Sequence, residues 1–312
     1  MENVEMRKVF ATQLRELMLK DDKVMVLDAD LAKASGTHGL RTEFPDRAIE
    51  VGIAEQNMVS VAAGLSSYGY KPFVTTFSPF ASRRVCDQIT LSVCYAKQNV
   101  KIVGTDPGIS AELNGGTHMG MEDIAVLRGI PNIVIFEPVD NTQLALAMPI
   151  INDYYGAVYI RMFRKCLTPV FDENYKFDLF KADVIKEGKD ISIFCSGIMV
   201  QETLLAQDML KEAGIDAEII NVHTIKPIDE ATIIASVKKT GCAVSCENHN
   251  IVGGLYSAIS EVLCAKCPTP MLAIGVPNTF GEVGKLPYLK QIYKMRAQDI
   301  VEQCKKAIAL KK

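Results

Sequence analysis

Apolar residues recur along this chain in two alternating rhythms. Residues 1–20 put Val9, Phe10, Leu14, Leu17 and Met18 on one side of a helical period, which predicts an amphipathic helix. VMVLDA, 24–29, is a continuous apolar run of strand length. Similar runs follow at FVTTF (73–77), NVKIVGTD (99–106), NIVIFEP (132–138) and AVYIRM (157–162), with helical stretches over 78–97 and 141–154 between them. Apolar strands alternating with helices predict a parallel sheet covered on both faces.

The rhythm fails over 163–182, which is polar, contains a proline and follows neither period. A second alternation then runs through DISIFCSGIM, a helix over 200–213, DAEIINVHTI, a helix over 228–239, CAVSCEN, GGLYSAISEVL, MLAIGV and a last helix from 297. The predicted fold class is α/β, with two open, mostly parallel sheets. The first domain is assigned to 1–165, a linker to 166–182 and the second domain to 183–312. Neither a G-x-G-x-x-G fingerprint nor a Walker P-loop occurs, which argues against a plain dehydrogenase or kinase. In such sheets the site is expected in loops at the carboxyl ends of the strands.

Composition narrows the class further. A length of 312 residues suits two domains, and 48% hydrophobic residues supply cores for both. The net charge of −3 comes with no basic stripe, so nucleic acid is not expected as a partner. No signal peptide and no run of transmembrane length is apparent, so no membrane partner is expected and the location is read as cytoplasmic. The nine cysteines are scattered through apolar segments and read as reduced thiols. CAKC, 264–267, with Cys242 and Cys246 nearby, has the form of a metal or redox motif. Its members fall at the ends of apolar elements, and we assign no metal ligand.

One position stands out against the pattern. VGIAEQNM, 51–58, sets the carboxylate of Glu55 behind four uncharged residues, and the chain turns small and apolar again in VSVAAGL, 59–65. A buried, unpaired carboxylate is costly. Glu55 is therefore either an exposed residue at a helix start or a buried one with a partner the local sequence does not name.

VGIAEQN, then GYKPFVTTFSPFASRRVCDQI, then NGGTHMG resemble, in order, the pyrimidine-binding domain of the transketolase family of thiamine diphosphate enzymes. SGIMVQETLLAQDMLKEAG and ENHNIVGGLYSAISEVL are similar to that family's C-terminal domain. The resemblance implies a role for each matching residue. Glu55 would be the catalytic carboxylate that hydrogen-bonds ring nitrogen N1′ of the aminopyrimidine and so favours the imino tautomer, whose nitrogen takes the thiazolium C2 proton. Phe80 would stack on the aminopyrimidine, with Phe77 lining the same pocket. His118 would stand near the substrate carbonyl as a second catalytic group, the side chain best suited to proton exchange near neutrality. Arg161 and Arg7 would grip a substrate phosphate, for which guanidinium forks are well shaped. Asp30 and Leu31 would touch the cofactor from its other side.

Three positions depart from the resembled pattern. Thr105 replaces a histidine, Asn114 replaces an aspartate that reads a substrate hydroxyl, and Arg83 replaces an aromatic beside the stacking pocket. They bear on the sugar rather than on the thiamine chemistry. The family's G-D-G motif for diphosphate and Mg²⁺ is missing, and the chain opens on the pyrimidine domain. The implied protein is the C-terminal subunit of a split transketolase, moving a two-carbon ketol unit between sugars, a chemistry of pentose phosphate type. Its expected partners are an N-terminal subunit that holds the diphosphate and Mg²⁺, a second copy of itself within a heterotetramer, and sugar substrates. The VSVAAGL face suits a two-fold contact. Rival readings are a deoxyxylulose-phosphate synthase-like subunit, a 2-oxo acid dehydrogenase β-like subunit, and a non-catalytic homologue that binds or regulates a partner.

Overall fold

A computed structural model describes residues 4–311. The first helix runs over Met6–Lys20 and buries Met6, Val9, Phe10, Leu14 and Met18; residues 1–3 of its predicted span lie outside the described residues. The strands are β1 (Val24–Asp28), β2 (Ala48–Glu50), β3 (Lys71–Phe77), β4 (Lys101–Thr105), β5 (Ile133–Phe136), β6 (Ala157–Met162), β7 (Asp183–Lys186), β8 (Ile191–Cys195), β9 (Ala217–Asn221), β10 (Thr224–Lys226), β11 (Ala243–Asn250) and β12 (Met271–Val276). They form a seven-stranded sheet in the order β10-β5-β6-β4-β3-β1-β2 and a five-stranded sheet in the order β12-β11-β8-β9-β7. All neighbours are parallel except β10 against β5 and β7 against β9. Every residue of β1, β4, β5, β6 and β8 is buried, which is why these strands read as unbroken apolar runs.

Two segments differ from their periodicity. DAEIINVHTI reads as one strand but divides at Val222–His223. Ala217–Asn221 stays in the second sheet, while Thr224–Lys226 crosses over and adds the antiparallel edge of the first. His223 is buried at that crossover, and burial pushes its imidazole down to about 4. The stretch 78–97 reads as one helix but forms a tight turn at Arg83–Val85, a single turn at Cys86–Gln88 and a wide π-type turn at Ile89–Tyr95. Thr90 Oγ1 donates back to the Cys86 carbonyl at 2.7 Å, a local bond that competes with the regular ladder.

Residues 163–182 carry no helix or strand, yet they are fastened along the first sheet. Asp140 accepts from the amides of Val170 and Phe171, and Phe171 stacks on Tyr175 with centroids 3.7 Å apart. One apolar cluster joins Ile102, Ile135 and Tyr159 of the first sheet to Phe194, Ile220 and Ala243 of the second.

Arg161 occupies the centre of the junction, and here the structure corrects its reading as a phosphate ligand. Its side chain is fully buried on β6. Nε donates to Asp123 at 2.9 Å, Nη1 to Glu137 at 2.5 Å and Nη2 to the Asn248 carbonyl at 2.7 Å. Those partners leave no exposed edge for a phosphate. Glu137 also accepts from Ser196 Oγ of the second domain at 2.7 Å, and Asp123 accepts from the Tyr159 hydroxyl at 2.7 Å. His249 lies 3.8 Å from Asp123, and burial lowers it to about 4. Its Nδ1 donates to the Asn250 carbonyl at 2.6 Å and its Nε2 accepts from the Ala125 amide, so it packs here as a neutral ring.

Removing the Arg161 charge leaves Asp123 and Glu137 buried without their counter-ion. Arg161→Met should lower the unfolding free energy by about 3–5 kcal/mol, read from urea titration. Adding Asp123→Asn and Glu137→Gln should recover part of that loss. A cost below about 1 kcal/mol would mean the cluster does not hold the sheets together.

Candidate active site

The turn before Glu55 is built by glycine. Gly52 has φ +72°, a conformation that side chains disfavour, and its amide donates to Glu50 Oε1 at 2.9 Å. Ile53 is thrown outward and Glu55 opens the helix Glu55–Ser67. The helix start favours a carboxylate through its unpaired amides. Glu55 is nevertheless only 4% exposed, and it has a partner: Arg84 Nη1 donates to its Oε1 at 2.6 Å. Of the two alternatives left by the sequence the second is realised, a buried carboxylate with a distant partner, and it sits at a helix start.

Phe77 ends β3 and Phe80 follows in the turn, their centroids 6.2 Å apart. The His118 ring meets both nearly edge-on, at 5.9 Å from Phe77 and 5.3 Å from Phe80. Arginines cover the two phenylalanines. The Arg84 guanidinium carbon lies 3.7 Å from the Phe80 centroid and that of Arg164 5.0 Å from the Phe77 centroid. The structure therefore brings together Glu55, Phe77, Phe80 and His118, and adds Arg84 and Arg164, which the sequence reading missed. Arg84 stands four residues after Phe80, a spacing at which side chains meet along a helix, and that signal could have found it.

His118 is carried by the turn Gly116–His118, with Nδ1 2.9 Å from Thr117 Oγ1. Arg83 clamps this turn from outside, donating to the Thr117 carbonyl at 3.2 Å and to Glu122 at 2.5 Å. The preceding loop holds two left-handed residues that are not glycine, Asp106 (φ 51°) and Glu112 (φ 49°). Asp106 is buried beneath Arg164, whose Nε donates to it at 2.5 Å; burial nevertheless pushes this carboxyl above the usual range. Glu112 pairs with Lys165 and accepts from the Leu286 amide at 2.8 Å. Gly108 allows a close approach between the domains, since a Cβ there would lie 2.2 Å from the Asn248 carbonyl oxygen.

The other sequence candidates lie outside the aromatic cluster. Asp30 is exposed at the end of β1, in a left-handed conformation, with its amide donating to Glu50 Oε1 at 2.7 Å; Leu31 follows it, half-buried. Arg7 pairs with Glu5 at 2.9 Å and donates to the Ala34 carbonyl at 3.3 Å. Asn114 is exposed on the glycine loop. Thr105 is buried, 3.4 Å from the Thr76 carbonyl. Arg161 belongs to the buried junction described above.

A carboxylate at the floor, an aromatic face beside it and an imidazole at the wall fit a flat heterocycle that accepts or gives a proton. A planar, protonated group, the Arg84 guanidinium, already satisfies the first two. The residues present therefore fit an aminopyrimidine ring. Among the described residues, no group of three or more His, Cys, Asp or Glu is placed to hold a metal ion.

Comparison with known proteins points the same way. The family described as "Transketolase, pyrimidine binding domain" matches residues 2–169, and "Transketolase, C-terminal domain" matches 180–300. The 6-deoxy-6-sulfo-D-fructose transketolase subunit of Clostridium sp. (strain MSTE9) is 50% identical over 296 residues, covering 95% of this chain and 92% of the relative. The 1-deoxy-D-xylulose-5-phosphate synthase of Caldanaerobacter subterraneus is 35% identical over 297 residues, and this chain spans 47% of it. A solved split gene transketolase, described as an inactive beta4 tetramer, superimposes with a TM-score of 0.91 at 38% identity, covering 99% of this chain and 100% of the other.

The Arg83 clamp gives a test of how the imidazole is held. Arg83→Ala should raise amide hydrogen exchange through 115–120 while changing global stability by less than about 1 kcal/mol, since the ion pair is solvent-exposed. Unchanged exchange would show that the loop holds His118 without Arg83.

Proposed function

The chain belongs to the transketolase family, and from that premise we propose that it is the C-terminal subunit of a split transketolase, working with thiamine diphosphate bound between it and a separate N-terminal chain. The observation that carries the reading is the buried Glu55 carboxylate beside the Phe80 ring, the two bridged by one planar group, the Arg84 guanidinium. The length match to the split relatives supports the two-chain arrangement.

When bound, thiamine diphosphate supplies a thiazolium carbon that makes and breaks the bond to a ketol unit. The chain's own residues prepare for this. Glu55 holds a proton at ring nitrogen N1′ of the aminopyrimidine. Phe80 presents a flat apolar face and Phe77 closes the side of the slot. His118 holds or moves a proton at the oxygen of the donor carbonyl or its neighbouring hydroxyl. Asp30 and Leu31 wall the cofactor side, and Asn114 meets a substrate hydroxyl from the glycine loop. Diphosphate and Mg²⁺ ligands are assigned to the N-terminal chain, because no G-D-G motif occurs in this sequence.

The substrate is read as a ketose with a terminal anion. Arg164 takes over the role first given to Arg161. It lies over Phe77 at the mouth of the site with part of its guanidinium exposed, and Arg7 donates its amide to the Arg164 carbonyl beside it. One relative is named for a sulfosugar, so a terminal sulfonate is read as a partner for this arginine alongside a phosphate, and the pentose phosphate setting is widened to anionic ketoses. Ile53, Tyr68, Leu91 and Tyr95 are exposed around the helix that starts at Glu55 and support self-association there, giving a heterotetramer with the N-terminal chain. No helix among the described residues is long and apolar enough to cross a membrane, and nine free cysteines support a reducing, cytoplasmic setting.

Two substitutions test these roles in the complex reconstituted with the N-terminal subunit. Glu55→Gln is near-isosteric and should leave thermal unfolding almost unchanged while ketol transfer drops roughly 10²–10⁴-fold. Exchange of the thiamine C2 proton, followed by NMR, should slow in parallel; wild-type exchange would remove Glu55 from the mechanism. Arg164→Ala should raise KM for an anionic ketose about tenfold or more while leaving that for a neutral ketose unchanged. Equal effects on both would assign Arg164 to holding Asp106 alone.

A further inference from the structure

The geometry points to Arg84 as an internal competitor for the aminopyrimidine subsite, a side chain the cofactor must displace before it reaches Glu55. The inference rests on the reading of this site as a thiamine pocket and adds a residue to it. Two observations support it. The guanidinium is planar and cationic, and it lies 3.7 Å over Phe80. Its Nη1 donates to Glu55 at 2.6 Å, the carboxylate assigned to the ring nitrogen. One group thus uses both contacts that an aminopyrimidine would need, and two flat groups cannot share one face and one carboxylate oxygen.

Arg84 is also built to leave. Its side chain is 41% exposed, so water receives the charge when it swings out. Its backbone stays fixed meanwhile, because Gln56 Nε2 donates to the Arg84 carbonyl at 3.1 Å and the Arg84 amide donates to Pro79 at 3.3 Å. The movement is confined to side-chain torsions.

Competition has a consequence for loading. A free aminopyrimidine must replace an ion pair and a cation–π contact with contacts of similar strength. The net gain is small unless other parts of the ligand bind elsewhere. Capture of cofactor by this chain therefore depends on the diphosphate contacts assigned to the partner. Arg84 keeps the buried carboxylate paired until those contacts are made.

The test uses the full chain and the hydroxymethyl aminopyrimidine half of thiamine, which addresses only the subsite on this subunit. In the free protein the Arg84 side-chain NMR signals should show the ring-current shift of a group seated on Phe80. They should move to solvent-like positions as the probe saturates. Arg84→Met, which keeps the length and removes the charge, should bind the probe about tenfold more tightly. Arg84→Lys, which keeps the charge without the planar face, should fall between the two. The wild-type titration stands even if Arg84→Met folds poorly with Glu55 left unpaired. Arg84 signals unmoved at saturation, or Arg84→Met binding equal to or weaker than wild type, would overturn the competition while leaving the pyrimidine site intact. Ring-shifted Arg84 signals with no probe binding to any of the three proteins would instead remove the pyrimidine reading, and the inference with it.

Discussion

A guanidinium with no access to water organises this chain. Burying a charge is unfavourable unless it is fully paired, so Arg161 fixes the places of everything that pairs with it. Asp123 comes from the helix after the glycine loop, Glu137 from the end of β5, and the Asn248 carbonyl from β11 of the other sheet. Glu137 passes the constraint to Ser196 at the end of β8. The carboxyl ends of both sheets are thereby held face to face, with the loop that carries His118 between them. Asn248 works on the same seam, its side chain bridging the Pro107 carbonyl and the Ile109 amide.

Around the mouth of the site, cations come with their own carboxylates: Arg83 with Glu122, Arg84 with Glu55, Arg164 with Asp106 and Lys165 with Glu112. The chain's net charge of −3 gives no sign of this local concentration of arginine and lysine. Pairing holds the side chains in place in the absence of an anion.

Much of this was legible beforehand. Strands buried on both faces announce themselves as apolar runs, and so VMVLDA, AVYIRM and DISIFC mark the two sheets. The ordered motifs around Glu55, Phe80 and His118 carry side chains that the fold brings together. What the sequence hid depended on pairing at a distance. Arg161 and Arg164 are three residues apart, and only the end of β6 decides that one turns into the seam and the other to the surface. Likewise Arg84 finds Glu55 across 29 positions, a contact no local period encodes. The edge strand β10 was hidden for a related reason: it continues the apolar run of β9, and the change of sheet at His223 leaves the pattern intact.

That change of sheet constrains how such proteins can be divided and recombined. The longer synthase relatives, of which this chain spans about half, show that the matching region also occurs joined to further sequence. A junction between the two sheets is a different matter. Cutting near 170 would take away β10 and leave β5 with an open edge, a template for pairing with other chains. The contribution of Thr224–Lys226 makes the first sheet depend on residues some sixty positions beyond its last parallel strand, β6. A crossover after 226 keeps the first sheet whole but parts β8 from β11, so no crossover between β6 and β12 leaves both sheets complete.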